Sequence, residues 1–195
     1  MRVLVIGGGI GGYVCAIRLS QLGARVTLAE RKWIGGTCLN DGCVPTKALL
    51  SAAEALETIR KAGTMGIRIP GEPAVDFGVL QAHKQAVVDQ LVSGVVKLLD
   101  NGQVIRLEED VRITGPGKAR IGSEEQDFDV IVAATGSEPV RLPIPGIDED
   151  HVVDSTGILN LTDIPESLLI IGGGVIGTEI GSLYHSMGTK VTIVE

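Results

Sequence analysis

Arg2-Val3-Leu4-Val5-Ile6-Gly7-Gly8-Gly9-Ile10-Gly11-Gly12 opens the chain with an apolar run that ends in a cluster of glycines. A short run of this kind reads as a buried parallel strand. Gly7, Gly9 and Gly12 fill the spacing G-x-G-x-x-G, which permits a tight turn, lets backbone approach a pyrophosphate, and lets the following helix pack closely on the strand. A helix pattern continues to about Leu22 and Gly23 stops it. Arg25-Val26-Thr27-Leu28-Ala29 is then a second strand that delivers Glu30, an acid placed to bind the hydroxyls of an adenosine ribose. The stretch is a complete βαβ unit for a dinucleotide.

The same pattern returns near the other end. Ser167-Leu168-Leu169-Ile170-Ile171 is an apolar strand, Gly172, Gly174 and Gly177 repeat the glycine spacing, a helix runs to about Met187, and Lys190-Val191-Thr192-Ile193-Val194 leads to Glu195. Between the two lies Glu138 to Asp150, with Pro139, Pro143 and Pro145, which reads as a linker. The expected class is α/β. Residues 1–145 form a Rossmann-like dinucleotide-binding domain with a parallel sheet, and residues 146–195 form the start of a second.

Just after the first unit stands Gly35-Gly36-Thr37-Cys38-Leu39-Asn40-Asp41-Gly42-Cys43-Val44-Pro45-Thr46-Lys47. Residues five apart on an ideal helix are roughly 8 to 9 Å apart, beyond the reach of a disulfide, so a helix joining the two cysteines must be distorted or must begin after Cys38. Asn40, Asp41 and Gly42 suit such a distortion, and Pro45 suits a first helical turn. The spacing alone leaves two readings open, a redox-active disulfide or a pair of ordinary buried cysteines. It is not a zinc signature, because no second Cys or His pair completes four ligands, and no metal site is expected. Cys15, in mid-helix on an apolar face, reads as core.

Thr46 to about Lys61 and Phe77 to about Leu99 read as helices around a Gly- and Pro-rich connection, Ala62 to Asp76. Short strands are expected at Val104–Leu107, Val111–Ile113 and Lys118–Ile121, with a turn at Gly115-Pro116-Gly117, and a buried strand at Phe128–Ala133.

Composition narrows the function classes. A net charge of −7, from 17 basic and 24 acidic residues, offers no basic stripe for a phosphate backbone, so nucleic acid is not an expected partner. No apolar segment has membrane-spanning length, and Met1-Arg2-Val3 enters a strand at once, so the chain reads as cytoplasmic with no membrane partner. Three cysteines make no secreted framework, and in a reducing compartment the Cys38/Cys43 spacing favours a working dithiol over a staple.

Through Gly-Gly-Thr-Cys38-Leu39-Asn40, Gly42-Cys43-Val-Pro-Thr-Lys47, Ala134-Thr135-Gly136-Ser137 and Gly177-Thr178-Glu179, the whole chain resembles the pyridine nucleotide-disulfide oxidoreductases, most closely their dihydrolipoamide dehydrogenase branch. The resemblance implies FAD held by Gly7, Gly9, Gly12, Glu30, Gly36, Thr37, Lys47 and Ala134 to Ser137, and NAD held by Gly172, Gly174, Gly177 and Glu195. It implies that Cys38 exchanges with substrate, that Cys43 lies beside the flavin, and that Lys47 pairs with Glu179. A cation one turn beyond Cys43 also has its own reason, since it favours thiolate.

The implied reaction is oxidation of protein-bound dihydrolipoamide, with electrons passing through Cys38–Cys43 and FAD to NAD. The implied partners are a lipoyl-bearing protein of a 2-oxoacid dehydrogenase or glycine cleavage system, and a second subunit. Rival readings are another disulfide or mercuric reductase, or a non-catalytic FAD-binding fragment. In the family a C-terminal domain supplies the His and Glu that move protons, and His83, His151 and His185 do not match that context, so the 195 residues alone are expected to be inactive. Asp41 stands where the family usually has an uncharged residue, and an anion between the cysteines opposes thiolate formation.

Overall fold

The computed structural model, which describes residues 1–195, begins with β1 (Arg2–Ile6), α1 (Ile10–Gln21), β2 (Arg25–Ala29), α2 (Gly36–Asn40) and α3 (Cys43–Lys61). A long helix follows, α4 (Phe77–Asn101), then β3 (Ile105–Leu107), β4 (Val111–Gly115), β5 (Lys118–Ile121) and β6 (Glu124–Asp127). The last elements are β7 (Val130–Ala133), β8 (Ser167–Ile171), α5 (Val175–Ser186) and β9 (Lys190–Val194). These group into two units, Met1–Asp41 with Val88–Val140, and Gly42–Val87 with Arg141–Glu195. No helix is long and apolar enough to cross a membrane.

In the first unit a parallel sheet has the order β3-β2-β1-β7. β1 lies in register with β2, Val3 opposite Val26 and Ile6 opposite Ala29, and on its other side with β7, Val3 opposite Val130 and Ile6 opposite Ala133. β1 is paired on both edges, and α1 and the β4–β6 region pack against the sheet, so Val3, Leu4 and Val5 are all buried and three consecutive apolar residues occur there without alternation. An antiparallel meander, β4-β5-β6, adds a second layer. Ala119, Ile121 and Phe128 pack with Leu4 and Ala29, and the Arg2 guanidinium lies 5.3 Å from the centre of the Phe128 ring.

The second unit has a helical core. Leu49 and Ala53 of α3, Phe77 and Leu80 of α4, and Ile180, Leu183 and Tyr184 of α5 enclose Ile158 and Leu159 from a 3-10 turn at Gly157–Asn160. Two polar ties fix that turn. The Tyr184 hydroxyl donates to the Ile158 carbonyl at 2.6 Å, and the buried Lys84 ammonium donates to the Leu159 carbonyl at 2.8 Å and to Asn160 Oδ1 at 3.0 Å. Burial pushes the Tyr184 phenol up to about 12. β8 pairs only with β9, in parallel.

Several sequence expectations are corrected. α3 starts at Cys43 rather than Thr46, because Pro45 sits in the first turn, where no intrahelical partner for its nitrogen is needed. The strand expected from Phe128 is confined to Val130–Ala133 and is only partly covered, with Val130 42% exposed. β6 was not expected, since Glu124-Glu125-Gln126-Asp127 carries no apolar alternation; it is an edge strand held by its register with β5. Cys15 is not core: it is only half-buried and lines an apolar hollow with Ile10 and Val14.

Candidate functional site

The first fingerprint is built by backbone geometry. Gly7 has φ +104°, and a Cβ on it would lie 2.2 Å from the Ala134 carbonyl oxygen. A Cβ on Gly12 would lie 1.7 Å from the Gly7 oxygen, so that position too is closed to every residue but glycine. Gly9 is the N-cap of α1 and makes no side-chain cap, while the Gly12 and Tyr13 N–H groups turn back to its carbonyl at 2.9 and 2.8 Å, which leaves the N–H groups of Ile10 and Gly11 without a partner inside the helix. That is the shape and charge an anionic pyrophosphate needs. Glu30 closes the other side. Its Oε2 accepts from the Gly8 N–H at 2.6 Å and its Oε1 from the Lys32 N–H at 2.7 Å, fixing the carboxylate while each oxygen keeps a lone pair for a ribose hydroxyl.

The second fingerprint repeats this. Gly172 has φ +105°, a Cβ on Gly177 would lie 2.1 Å from the Gly172 oxygen, and Gly174 caps α5 without a side chain. Glu195 accepts from the Gly173 N–H, and both carboxylates are 22 residues beyond the glycine they bind. These residues therefore fit two dinucleotides, one in each unit.

The cysteine segment is docked onto the first fingerprint. Gly35 has φ +102° and donates its N–H to the Gly8 carbonyl at 2.8 Å. Gly36, φ +58°, approaches Gly9 so closely that a Cβ on it would lie 2.5 Å from the Gly9 Cα. The Gly35-Gly36 pair thus lets α2, carrying Thr37 and Cys38, start against the glycine turn of the first fingerprint. Asn40 holds the turn closed, its Nδ2 donating to the Ile34 and Gly36 carbonyls at 3.1 and 2.9 Å. The helix then breaks at Asp41 and Gly42 and restarts at Cys43, so the two cysteines bracket an interruption rather than share one helix. Both are thiols, Cys38 half-buried and Cys43 exposed.

One turn into α3, the Lys47 ammonium donates to Glu179 Oε1 of α5 at 2.8 Å. Ala134 joins the sheet through its N–H to the Ile6 carbonyl at 2.8 Å, Gly136 takes φ +73°, and Thr135, Gly136 and Ser137 stand exposed past the end of β7. His83, His151 and His185 are all on the surface.

Sequence reasoning missed two features of this site. Tyr13, in the first turns of α1, has its phenol pushed up by burial first and then by the charge of the Cys38 thiolate. Nothing in the fingerprint marks the position. Arg31, the residue after Glu30, reaches Glu138 beyond β7 at 2.9 Å and so links the two loops that flank the end of β1. A separation of 107 positions hides that pair from any local pattern.

A family model described as pyridine nucleotide-disulphide oxidoreductase matches residues 1–195. Among curated proteins, a dihydrolipoyl dehydrogenase of Bacillus subtilis (strain 168) is 41% identical over 200 residues, covering 100% of this chain and 44% of its own length. Dihydrolipoyl dehydrogenase 2 of Haloarcula marismortui is 42% identical over 201 residues, covering 100% of this chain and 42% of its own. Among solved structures, the HOCl-induced flavoprotein disulfide reductase RclA from Escherichia coli matches with a TM-score of 0.86 and 32% identity, over 100% of this chain and 42% of that one. The chain spans less than half the length of each of these relatives.

Proposed function

The chain belongs to the pyridine nucleotide-disulphide oxidoreductases, and on that footing we propose that it carries the FAD-binding and dithiol-bearing part of an enzyme that oxidises protein-bound dihydrolipoamide with NAD. The observation that carries this reading is the docking of the Cys38 segment on the first fingerprint, through Gly35 to Gly8 and Gly36 against Gly9. A dithiol held on the cradle of a dinucleotide has its natural redox partner within that cradle. We assign residues 1–145 to FAD, and residues 146–195 to the opening of the NAD-binding part.

In this reading Gly7, Gly9 and Gly12 receive the pyrophosphate of FAD, Glu30 the ribose, and Gly36, Thr37, Lys47 and Ala134 to Ser137 the rest. FAD supplies an acceptor for the two electrons of the dithiol and a donor of hydride to NAD. The protein's own part is exchange. A substrate thiolate attacks Cys38 Sγ of the disulfide and releases Cys43 as thiolate; the second substrate thiolate then displaces Cys38, so the substrate leaves as a disulfide having lost two electrons and two protons. Lys47 favours thiolate at the start of α3, and its bond to Glu179 holds the ammonium in place. Glu195 accepts the 2′-hydroxyl of NAD and repels the 2′-phosphate of NADP.

The partner is a lipoyl domain of a 2-oxoacid dehydrogenase or glycine cleavage system, and the working form is a homodimer. A second reading, a reductase of some other disulfide, draws support from the RclA likeness. The higher identity to dihydrolipoyl dehydrogenases favours the first. The test takes purified chain incubated with FAD, then dihydrolipoamide under argon. Retained flavin and two thiols newly open to alkylation, at Cys38 and Cys43, are expected; the isolated chain should still lack NAD-linked turnover, which a full-length protein should show with NAD well ahead of NADP. A chain that retains no flavin, or flavin-loaded chain whose cysteines stay indifferent to dihydrolipoamide, overturns the proposal.

A further inference from the structure

Asp41 ends α2. Its N–H donates to the Thr37 carbonyl at 2.8 Å, and as the C-cap, with φ −130°, it follows Cys38 by three residues, a spacing at which Cβ atoms within a helix lie about 5–6 Å apart. The site is half-buried, so water screens the carboxylate only in part. The sulfur is also half-buried, and the phenol of Tyr13 feels its charge. Past the break the chain carries Cys43 and then Lys47, whose ammonium is bonded to Glu179.

Resting on the dithiol reading above, we propose that the Asp41 carboxylate is the residue that sets the ionisation of Cys38, and with it the pH at which this centre exchanges with its substrate. An anion one turn from a thiol disfavours thiolate. In the exchange, substrate dithiol and the Cys38–Cys43 disulfide yield substrate disulfide, two cysteine sulfurs carrying the two electrons, and two protons. The final bond to break is the one that releases Cys38, and a thiol leaves faster as its thiolate is better stabilised. Asp41 therefore holds that release back at low pH and keeps the reduced centre as dithiol rather than thiolate. Tyr13, whose phenol is pushed up by burial and by the same sulfur, is neutral over the working range and adds no charge of its own, and the Lys47 ammonium is bonded to Glu179.

An uncharged residue of the same shape isolates the charge. Wild-type chain, Asp41→Asn and Asp41→Glu are reduced with dithiothreitol and treated with iodoacetamide over a pH series, and alkylation of Cys38 is followed by mass spectrometry. Asp41→Asn should shift the Cys38 profile to lower pH, raising the thiolate fraction at a fixed pH below its midpoint roughly three- to tenfold, as removal of one charge about 6 Å away in a partly screened site requires. Asp41→Glu should restore the wild-type profile. Circular dichroism confirms that the variants are folded; a role limited to ending α2 would move their melting and leave the pH profile alone.

Coincident Cys38 profiles for wild type and Asp41→Asn overturn the inference, whether or not a disulfide forms. The dithiol reading is judged separately: a wild-type chain in which Cys38 and Cys43 never form a disulfide under oxidised dithiothreitol refutes that reading, and the same profiles still decide Asp41.

Discussion

The two glycine fingerprints are close copies at the level of the backbone and unlike in everything around them. Gly7 and Gly172 take φ of +104° and +105°, and each following helix starts from an uncapped glycine. The strand entering the first is buried over Val3, Leu4 and Val5; the strand entering the second leaves Leu169 and Ile171 62% and 56% exposed. A Cβ on Gly7 would collide with Ala134, just past the end of β7, whereas one on Gly172 would meet nothing within 4 Å. The cradle is thus a local property that eleven or so residues can specify, and the rigidity of its support comes from the neighbouring strands.

Alanine at the third glycine of each copy should separate those two contributions, and it is expected to give the largest effect. Gly12→Ala drives a methyl to 1.7 Å from the oxygen of Gly7, which directly follows a strand clamped on both sides and has little room to yield. A loss of about 3 kcal/mol or more is expected, with flavin retention abolished. In Gly177→Ala the clash is with Gly172 at 2.1 Å, but β8 has one neighbour and can shift, so about 1–3 kcal/mol and unimpaired flavin retention are expected. Thermal melts and the flavin-to-protein absorbance ratio measure both. Equal losses in the two variants would mean that neighbouring strands contribute nothing to the rigidity of the turn.

The cores differ as the sheets do, and Tyr184 tests that difference at intermediate strength. Strands and a meander sandwich the first core, while the second is enclosed by helices and tied by polar groups to the turn at Gly157–Asn160. Tyr184→Phe leaves the Ile158 carbonyl without its donor in a buried place and should cost about 1–3 kcal/mol. The wild type should also lose stability as pH rises from about 10 towards about 12, because the unfolded phenol releases its proton there while the folded one, pushed up to about 12 by burial, retains it. Melts along that pH range should fall more steeply for wild type than for Tyr184→Phe.

These contrasts also mark what could be read from the sequence. Both βαβ units, the acid that ends each, and the Cys38 segment were legible, because each is written in consecutive residues with a fixed backbone reason. The break after Asn40 was legible as well, since a disulfide cannot be reconciled with an uninterrupted helix. What stayed hidden depends on distant pairing. Glu124–Asp127 becomes a strand only because β5 offers an edge, Lys84 and Tyr184 gain their partners from a turn some 75 and 26 residues away, and Tyr13 matters only once α2 is laid beside α1. Cys15 misled for the opposite reason: its apolar neighbours on α1 are themselves open to solvent, Ile10 by 47% and Val14 by 52%.

The smallest effect expected, and the last feature distinguishing the first cradle, is the Arg31–Glu138 pair. It joins the loop after β2 to the loop after β7 across the end of β1, at 2.9 Å, with the side chains 58% and 74% exposed. At that exposure water and salt screen most of the attraction, and ordering two long side chains offsets part of what remains, so the pair should be worth about 0.2–1 kcal/mol. A double-mutant cycle with Arg31→Ala and Glu138→Ala, followed by thermal melts at low and high salt, measures the coupling directly. Coupling within that range, fading as salt is added, is expected. Coupling of about 2 kcal/mol or more that persisted in high salt would show the pair to be desolvated in solution, and the rigidity of the first cradle would then owe as much to this bridge as to the strands beneath it.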